Sequence, residues 1–485
     1  MSESKLLIDG ECTYKNGELV KTPDGDYYNC TLNQTDLVAN KNKFYIMQLV
    51  KYNNLYYHFI RYGRICEVGH STHNQYQTEH EAILLFTKQF KAKTGNNWEN
   101  RNTFIKKNDK YFLADISYED ITKHEKTQIQ IKTKIKIPDS ILDNRVQKLL
   151  GYICDKNIMM TSLAKLEFDT KKMPLGKLST KQLDNAQALL IKITKIIQKK
   201  TTTDTELTDL SSDYYTLIPY PCGRKKPPLI DSQEIVDKYK ELIEELRNMV
   251  ITVKLLENSN ANLNNNPLDN IYNDLNTTIK PISNQSEIWK HIHDYMKNTH
   301  GKTHHFSTEI LDIFEINRKN ENDLSNTGNN VLLWHGSKLT NFCSILQKGL
   351  LLDPSNLGIK ITGKMFGYGV YFANSSKSIP YCDTQSTDNI GCLLLCEVAL
   401  GNCSKRTESD YYITKDELKK ENCDSTWGRG RNTPRSYVQH DSYKIPNGKL
   451  KATNLNTSLL YDEFIVYDTN QFKIKYMVLF KTGVA

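Results

Sequence analysis

Three short segments of the 485-residue chain carry side chains that could act on a bound substrate: Leu333-Trp334-His335-Gly336-Ser337, Met365-Phe366-Gly367-Tyr368-Gly369-Val370-Tyr371-Phe372-Ala373 and Leu459-Leu460-Tyr461-Asp462-Glu463-Phe464-Ile465-Val466-Tyr467. Backbone amides near Gly336 and the Ser337 hydroxyl can pair with a group offering one acceptor and one donor, such as a carboxamide. Tyr371 and Tyr381 offer flat faces for offset stacking on a planar ring. Glu463 offers a carboxylate that can stabilise positive charge and polarise a hydroxyl. Taken singly, each has an ordinary reading. A histidine before Gly-Ser is usually a turn residue, a tyrosine between Val and Phe is usually core, and Glu463 beside Asp462 is usually a solvated strand end. Lys377 and Ser378 could be helix-start residues, and Gly367 and Gly369 could serve only a turn.

The elements that would hold these residues fall into three stretches. Over residues 41–137, Phe44 to Val50 and Leu55 to Arg64 are rich in aromatic and β-branched residues and predict strands. Thr78 with Glu81 forms a capping box ahead of Ala82, Leu85, Phe86 and Phe90 at helical spacing. From Pro138 to about Glu257 the pattern is helical. Ser140 and Asp143 can start a helix carrying Val146, Leu149, Leu150 and Ile153, and Ser179 with Gln182 forms another capping box ahead of Leu183, Ala186, Leu190, Ile193 and Ile197. A third helix from about Asp231 places Val236, Tyr239, Ile243, Leu246 and Val250 on one face. Asn258 to Pro267 reads as a linker. Beyond it, Gly391 to Leu400 and Phe464 to Tyr467 predict buried strands, and Phe472, Ile474, Tyr476, Val478 and Phe480 alternate as a half-buried strand does.

The formal net charge is +8, and residues 41–137 alone hold 17 basic against 9 acidic residues. A polyanion partner for that region follows, with a merely solvated basic surface as the alternative. The 11 cysteines include no C-x-x-C pair, so reduced thiols are expected and a structural zinc site is not. The longest apolar run, Cys392 to Leu400, carries Glu397 and is far short of the roughly 20 residues of a membrane span. Neither a membrane association nor a secretory signal is expected.

In their order, the three chemical segments resemble the catalytic domain of poly(ADP-ribose) polymerases, with its His–Tyr–Glu signature. Lys172-Met173-Pro174-Leu175-Gly176-Lys177-Leu178-Ser179 and Tyr215-Thr216-Leu217-Ile218-Pro219 look like that family's helical regulatory domain. Asn42-Lys43-Phe44-Tyr45, Arg61-Tyr62-Gly63-Arg64 and Asn97-Trp98-Glu99-Asn100-Arg101 look like its WGR domain. The resemblance implies an α+β multidomain chain: a short N-terminal segment (1–24), a small α+β WGR domain (25–137), an all-α regulatory domain (138–257) and a mainly-β ADP-ribosyltransferase domain (258–485). It implies NAD+ as substrate, with His335, Tyr371 and Glu463 catalytic and Gly336, Ser337, Asn341, Lys377, Ser378 and Tyr381 lining the NAD+ site. By the same resemblance, Asn42, Lys43, Arg64 and Tyr111 would meet the terminal phosphate of broken or nicked duplex DNA. Protein acceptors, the chain itself included, a nuclear location and room for an accessory factor completing the site belong to the same implication. A transferase adding single units and a non-catalytic DNA-end adaptor are the rival readings. The chain departs from the family at several places: Leu351 stands where the best-known members place an Arg toward the adenine, the loop from Leu352 to Gly363 differs in length and composition, Lys364 and Tyr368 differ from the common choices, and Tyr62 replaces the Trp of the WGR motif, an exchange expected to preserve packing.

Overall fold

Phe44–Val50 and Leu55–Arg64 lie side by side in the structure, a computed structural model that describes residues 8–117, 138–166, 177–199, 204–261, 265–301, 303–352 and 365–484. The chain divides into two compact units, residues 1–135 with 163–250, and 136–162 with 251–485. In the first, β1 (Asn29–Asp36), β2 (Lys41–Tyr52), β3 (Leu55–Arg64) and β4 (His70–Tyr76) form an antiparallel sheet in the order β4-β3-β2-β1. The β2–β3 hairpin closes through Asn53 and Asn54, both left-handed (φ 49° and 61°), as a two-residue turn demands. The Glu79–Thr94 helix lays Ala82, Phe86 and Phe90 on the sheet, against Leu32, Met47 and Trp98. Thr78 accepts from the Glu81 N–H at 3.3 Å, one arm of the expected box.

The second expected box is also half made. Ser179 accepts from the Gln182 N–H at 3.1 Å, but the Gln182 amide reaches elsewhere. It accepts from Asp115 N–H at 2.7 Å and donates to the Leu217 carbonyl at 2.6 Å, tying the Thr180–Lys199 helix to both segments. Leu183, Ala186, Leu190 and Ile193 are fully buried. The third helix runs over Gln233–Ala261, so it continues past Asn258 and the linker is shorter than the polar composition suggested. Asn266 is no linker residue either: it caps the Pro267–Asp274 helix, accepting from Leu268 N–H at 2.9 Å.

The second unit carries thirteen described strands: β5 (Thr277–Pro281), β6 (Phe306–Arg318), β7 (Asn330–Gly336), β8 (Val370–Phe372), β9 (Ile390–Ala399), β10 (Cys403–Arg406), β11 (Ser425–Gly428), β12 (Asn432–Pro434), β13 (Tyr437–His440), β14 (Tyr443–Pro446), β15 (Leu450–Ala452), β16 (Glu463–Val466) and β17 (Phe472–Val484). One sheet has the order β13-β14-β7-β9-β17-β6-β5, a second β8-β16-β11-β10, and β12 pairs with β15 as a ribbon. All ten residues of β9 are buried. β17 departs from the half-buried strand read from its alternation. The register slips between Leu395↔Tyr476 and Cys396↔Ile474, leaving Lys475 as a bulge. Phe472 and Ile474 therefore share one core cluster with Met477 and Leu479, while Tyr476, Val478 and Phe480 serve another on the opposite face. Each face is covered by one of these clusters, and both edges are paired, to β9 and β6.

The Asn144–Ile153 helix belongs to this unit, and its Val146, Leu149, Leu150 and Ile153 join the core that holds Phe342, Cys343 and Leu346. Asp143 caps it, whereas Ser140 bonds the Asp269 carboxylate instead. Among the described residues no helix is long and apolar enough to cross a membrane, and no group of His, Cys, Asp and Glu could hold a metal ion. Lys172 to Gly176, the stretch from Asp353 to Gly363 and Lys364 lie outside the described residues.

Candidate active site

The site forms where the two sheets of the second unit meet. Trp334 at the end of β7 and Ala373 just after β8 exchange backbone hydrogen bonds of 2.8 and 2.9 Å, which brings His335 beside Tyr371. β8 then pairs with β16, setting Tyr371 opposite Ile465 and Phe372 opposite Phe464. Each of the three motif residues is thus fixed by a strand, and the backbone ladder sets their relative positions.

His335 Nδ1 lies 2.9 Å from the Tyr371 carbonyl oxygen. A carbonyl only accepts, so Nδ1 carries the proton and the neutral ring keeps an acceptor at Nε2. Burial, which favours the neutral ring, holds the imidazole below its ordinary pKa, and the hydrogen bond to that same carbonyl offsets part of this. The Tyr371 hydroxyl donates to the Gly367 carbonyl and accepts from the Phe366 N–H, both at 2.9 Å. Burial pushes this hydroxyl far up, so Tyr371 presents a ring clamped by the 366–371 turn and is no proton donor in ordinary conditions. Gly367 makes that turn with φ 65°, and a side chain there would meet the Ile413 carbonyl.

Glu463 Oε1 pairs with Lys377 Nζ, and the two side chains are 15% and 17% exposed. Partial burial, and next the negative charge of Glu463, push the Tyr381 hydroxyl up although 64% of that residue is exposed. Glu463 also adds to the rise at Tyr371, after burial and other causes. The carboxylate therefore stands near both tyrosines. Asn341 donates to Ser337 Oγ at 2.8 Å, which leaves the Ser337 hydroxyl proton for another acceptor. Gly336 is obligatory: a Cβ there would sit 1.9 Å from the Ser378 carbonyl oxygen. Ser378 is buried behind this glycine and forms the back of the wall.

The ordinary reading of Glu463 beside Asp462, a solvated strand end, fits neither residue: Glu463 is largely covered, and Asp462 is buried altogether. It is 1% exposed, accepting from Asn374 Nδ2 (2.9 Å), the Gly430 N–H (2.8 Å) and the Thr433 hydroxyl (2.7 Å). Alternation along β16 then turns its neighbour Glu463 the other way. The only sequence signal was the adjacency of two carboxylates, which does not say which is buried.

The residues matched to DNA separate into two groups. Asn42 is 1% exposed and donates to the Tyr220 carbonyl at 2.9 Å. Arg64 donates to the carbonyls of Gly223 (2.7 Å), Lys225 (3.0 Å) and Asn40 (3.0 Å). Both are turned to the 220–225 loop, so neither is presented to a phosphate in this conformation. Lys43 and Tyr111 are elsewhere: the Lys43 ammonium lies 5.0 Å from the Tyr111 ring centroid. Tyr45 lies between Tyr62 and Tyr111, 5.7 Å from each ring, with Lys93 4.6 Å over it. Tyr62 is 42% exposed and stacks one side of its ring on Tyr45. Tyr45, Tyr62 and Lys93 were missed as a group because they come from three elements. Leu351, another departure, is 69% exposed.

Residues 286–482 match the poly(ADP-ribose) polymerase catalytic domain, 140–272 the poly(ADP-ribose) polymerase regulatory domain and 28–105 the WGR domain. The chain is similar to a poly[ADP-ribose] polymerase of Sarcophaga peregrina (36% identical; 93% of this chain, 45% of the relative). It is similar also to poly[ADP-ribose] polymerase 2 of Homo sapiens (34%; 98% and 83%) and poly[ADP-ribose] polymerase 1 of Xenopus laevis (34%; 98% and 48%). The chain thus spans less than half the length of the fly and frog relatives and most of the human one.

Proposed function

The chain belongs to the poly(ADP-ribose) polymerase family, and from that premise we propose that it transfers ADP-ribose from NAD+ to proteins, itself included, and extends the product into polymer. The observation that carries this reading is the Glu463–Lys377 pair standing beside Tyr371 and Tyr381, with His335 held in one tautomer. Tyr371 and Tyr381 flank the nicotinamide ring. The Gly336 backbone and the Ser337 hydroxyl take its carboxamide, and Asn341 orients that hydroxyl. His335 Nε2 accepts from a ribose hydroxyl on the adenosine side. As nicotinamide leaves, positive charge grows on the ribose carbon and the Glu463 carboxylate stabilises it. Lys377 occupies Oε1, and Oε2 serves the hydroxyl of the incoming acceptor.

Glu463 favours chain growth over single-unit transfer, because its carboxylate is the group able to polarise an acceptor ribose hydroxyl. Broken or nicked duplex DNA is the activator in this reading, held by the Tyr62–Tyr45–Tyr111 face with Lys43 and Lys93. Arg64 and Asn42 act one step behind, tying this face to the 220–225 loop of the helical region. The site is in the nucleus, where such DNA is met, and an accessory factor can add to the acceptor side. Purified chain incubated with labelled NAD+, with and without nicked or blunt duplex, tests the proposal. Labelled polymer, more abundant with DNA, is expected; no transfer of label under any condition overturns the reading.

A further inference from the structure

Resting on that reading, we propose that the β12–β15 ribbon is a holding surface for the polymer already made, gripping its pyrophosphates behind the growing end. Between Arg429 and Lys451 the chain has six basic residues and one acidic, Asp441, a second cationic concentration besides residues 41–137. Register gathers four of the cations. Thr433 pairs with Lys451, Arg435 N–H donates to the Lys449 carbonyl and Thr453 N–H to the Arg431 carbonyl. Strand alternation therefore sets Arg431, Thr433 and Arg435 on the same side of the ribbon as Lys449 and Lys451. All four cations are exposed, and among the described residues none has a carboxylate within salt-bridge distance. Four unpaired like charges on one short ribbon repel one another, and an anion would relieve that repulsion.

The ribbon's position says which anion. Arg431 N–H donates to the Leu459 carbonyl, Asn432 N–H to Leu460, and Thr433 to Asp462, the residue before Glu463. Gly428, three residues before Arg431, pairs with Glu463 itself. The surface is thus anchored through β11, the neighbour of the proposed acceptor carboxylate's strand, and through the segment that leads into that strand. A polymer whose terminal ribose meets Glu463 carries a pyrophosphate dianion in every unit behind that ribose, at a spacing a row of flexible cations can follow. A nucleic-acid backbone has related charge but no reason to lie beside the acceptor carboxylate.

The test uses the full chain. In Arg431→Ser/Arg435→Ser/Lys449→Ser/Lys451→Ser, NAD+ consumed in the first units added should stay within about twofold of wild type, while polymer length falls severalfold. Affinity for purified poly(ADP-ribose), measured without NAD+, should fall at least tenfold. Its dependence on log salt should become shallower by about 3, the slope expected for four single-strand phosphate contacts. The charge-preserving set Arg431→Lys/Arg435→Lys/Lys449→Arg/Lys451→Arg should behave as wild type, and each two-site serine variant should lie between, which keeps the test valid if the fourfold variant folds poorly. Unchanged length and affinity in the two-site variants overturn the proposal, as does loss of duplex DNA binding with polymer binding intact. Wild-type chain that makes no polymer would instead count against the functional reading.

Discussion

Glu463 meets its cation inside one cleft, whereas Arg64 directs its guanidinium to the carbonyls of a loop more than 150 positions away in sequence. Both residues were singled out from motifs. In the catalytic region the motif residues converge, because backbone ladders between β7, β8 and β16 leave them no other arrangement. In the WGR region the matched residues part, two inward to the 220–225 loop and two outward with the tyrosines. A motif on paired strands fixes geometry; one on strand ends and turns leaves open which neighbour a side chain meets.

The largest effect that would break this contrast is at Glu463. Glu463→Gln removes the charge facing the oxocarbenium-like ribose and the partner of Lys377, and should lower elongation by about 10²–10³-fold, as loss of one preorganised electrostatic group does. Gel analysis of product length beside a measured NAD+ affinity checks it; long polymer at near wild-type rate would remove Glu463 from the mechanism. Asp462→Ala strands three buried donors and should cost about 3 kcal/mol of stability, while Asp462→Asn, which keeps the shape and one acceptor, should cost less. Thermal melts of both variants decide whether the carboxylate is the clamp proposed.

An intermediate effect concerns pH. Burial without a partner drives the His58 imidazole, on β3, down to about 4. The folded pKa lies below the unfolded value of about 6.5, so the unfolded chain binds the extra proton. Stability of the sheet is then full above about pH 6.5 and falls as pH drops toward 4, by about 2 kcal/mol at pH 5. Amide exchange in β2 and β3 across this range should show the slope, and His58→Phe should flatten it.

The smallest effect sharpens the contrast in the WGR region. Arg64→Ala should reduce DNA-stimulated turnover severalfold with little change in DNA affinity, whereas Tyr62→Ala or Lys93→Ala should weaken affinity itself, by about 1–3 kcal/mol for a stacking residue. Parallel measurements of end binding and stimulated NAD+ use separate the two. Equal loss of affinity in Arg64→Ala and Tyr62→Ala would show that Arg64 meets DNA after all.

Much of this was readable beforehand, for physical reasons. Strands β2, β3 and β9 and the helix beginning at Asn144 declared themselves because their apolar pattern is local. His335, Tyr371 and Glu463 could be singled out as candidates because their segments are long and ordered along the chain. What escaped was set by partners distant in sequence. Gln182 looked like a capping side chain until Asp115 and Leu217 took its amide. Asp462 drew no reading of its own, because Asn374, Gly430 and Thr433, which surround it, are far away in sequence. The ribbon's cations are scattered over twenty-one positions, Arg431 to Lys451, and become a row only through pairing.

The bulge at Lys475 makes β17 behave like a gear with one tooth displaced. Up to Ile474 the even-numbered side chains engage one core layer; from Met477 the odd-numbered ones do. Composition is blind to this, since it does not say which residue is the extra one. Removing Lys475 would take out the extra tooth: Ile474 and Tyr476 would become neighbours opposite Cys396 and Leu395, and Met477 and Leu479 would stay in the layer of Phe472 and Ile474. The strand is thereby specified by which residue is left out of the ladder, and not by residue type alone.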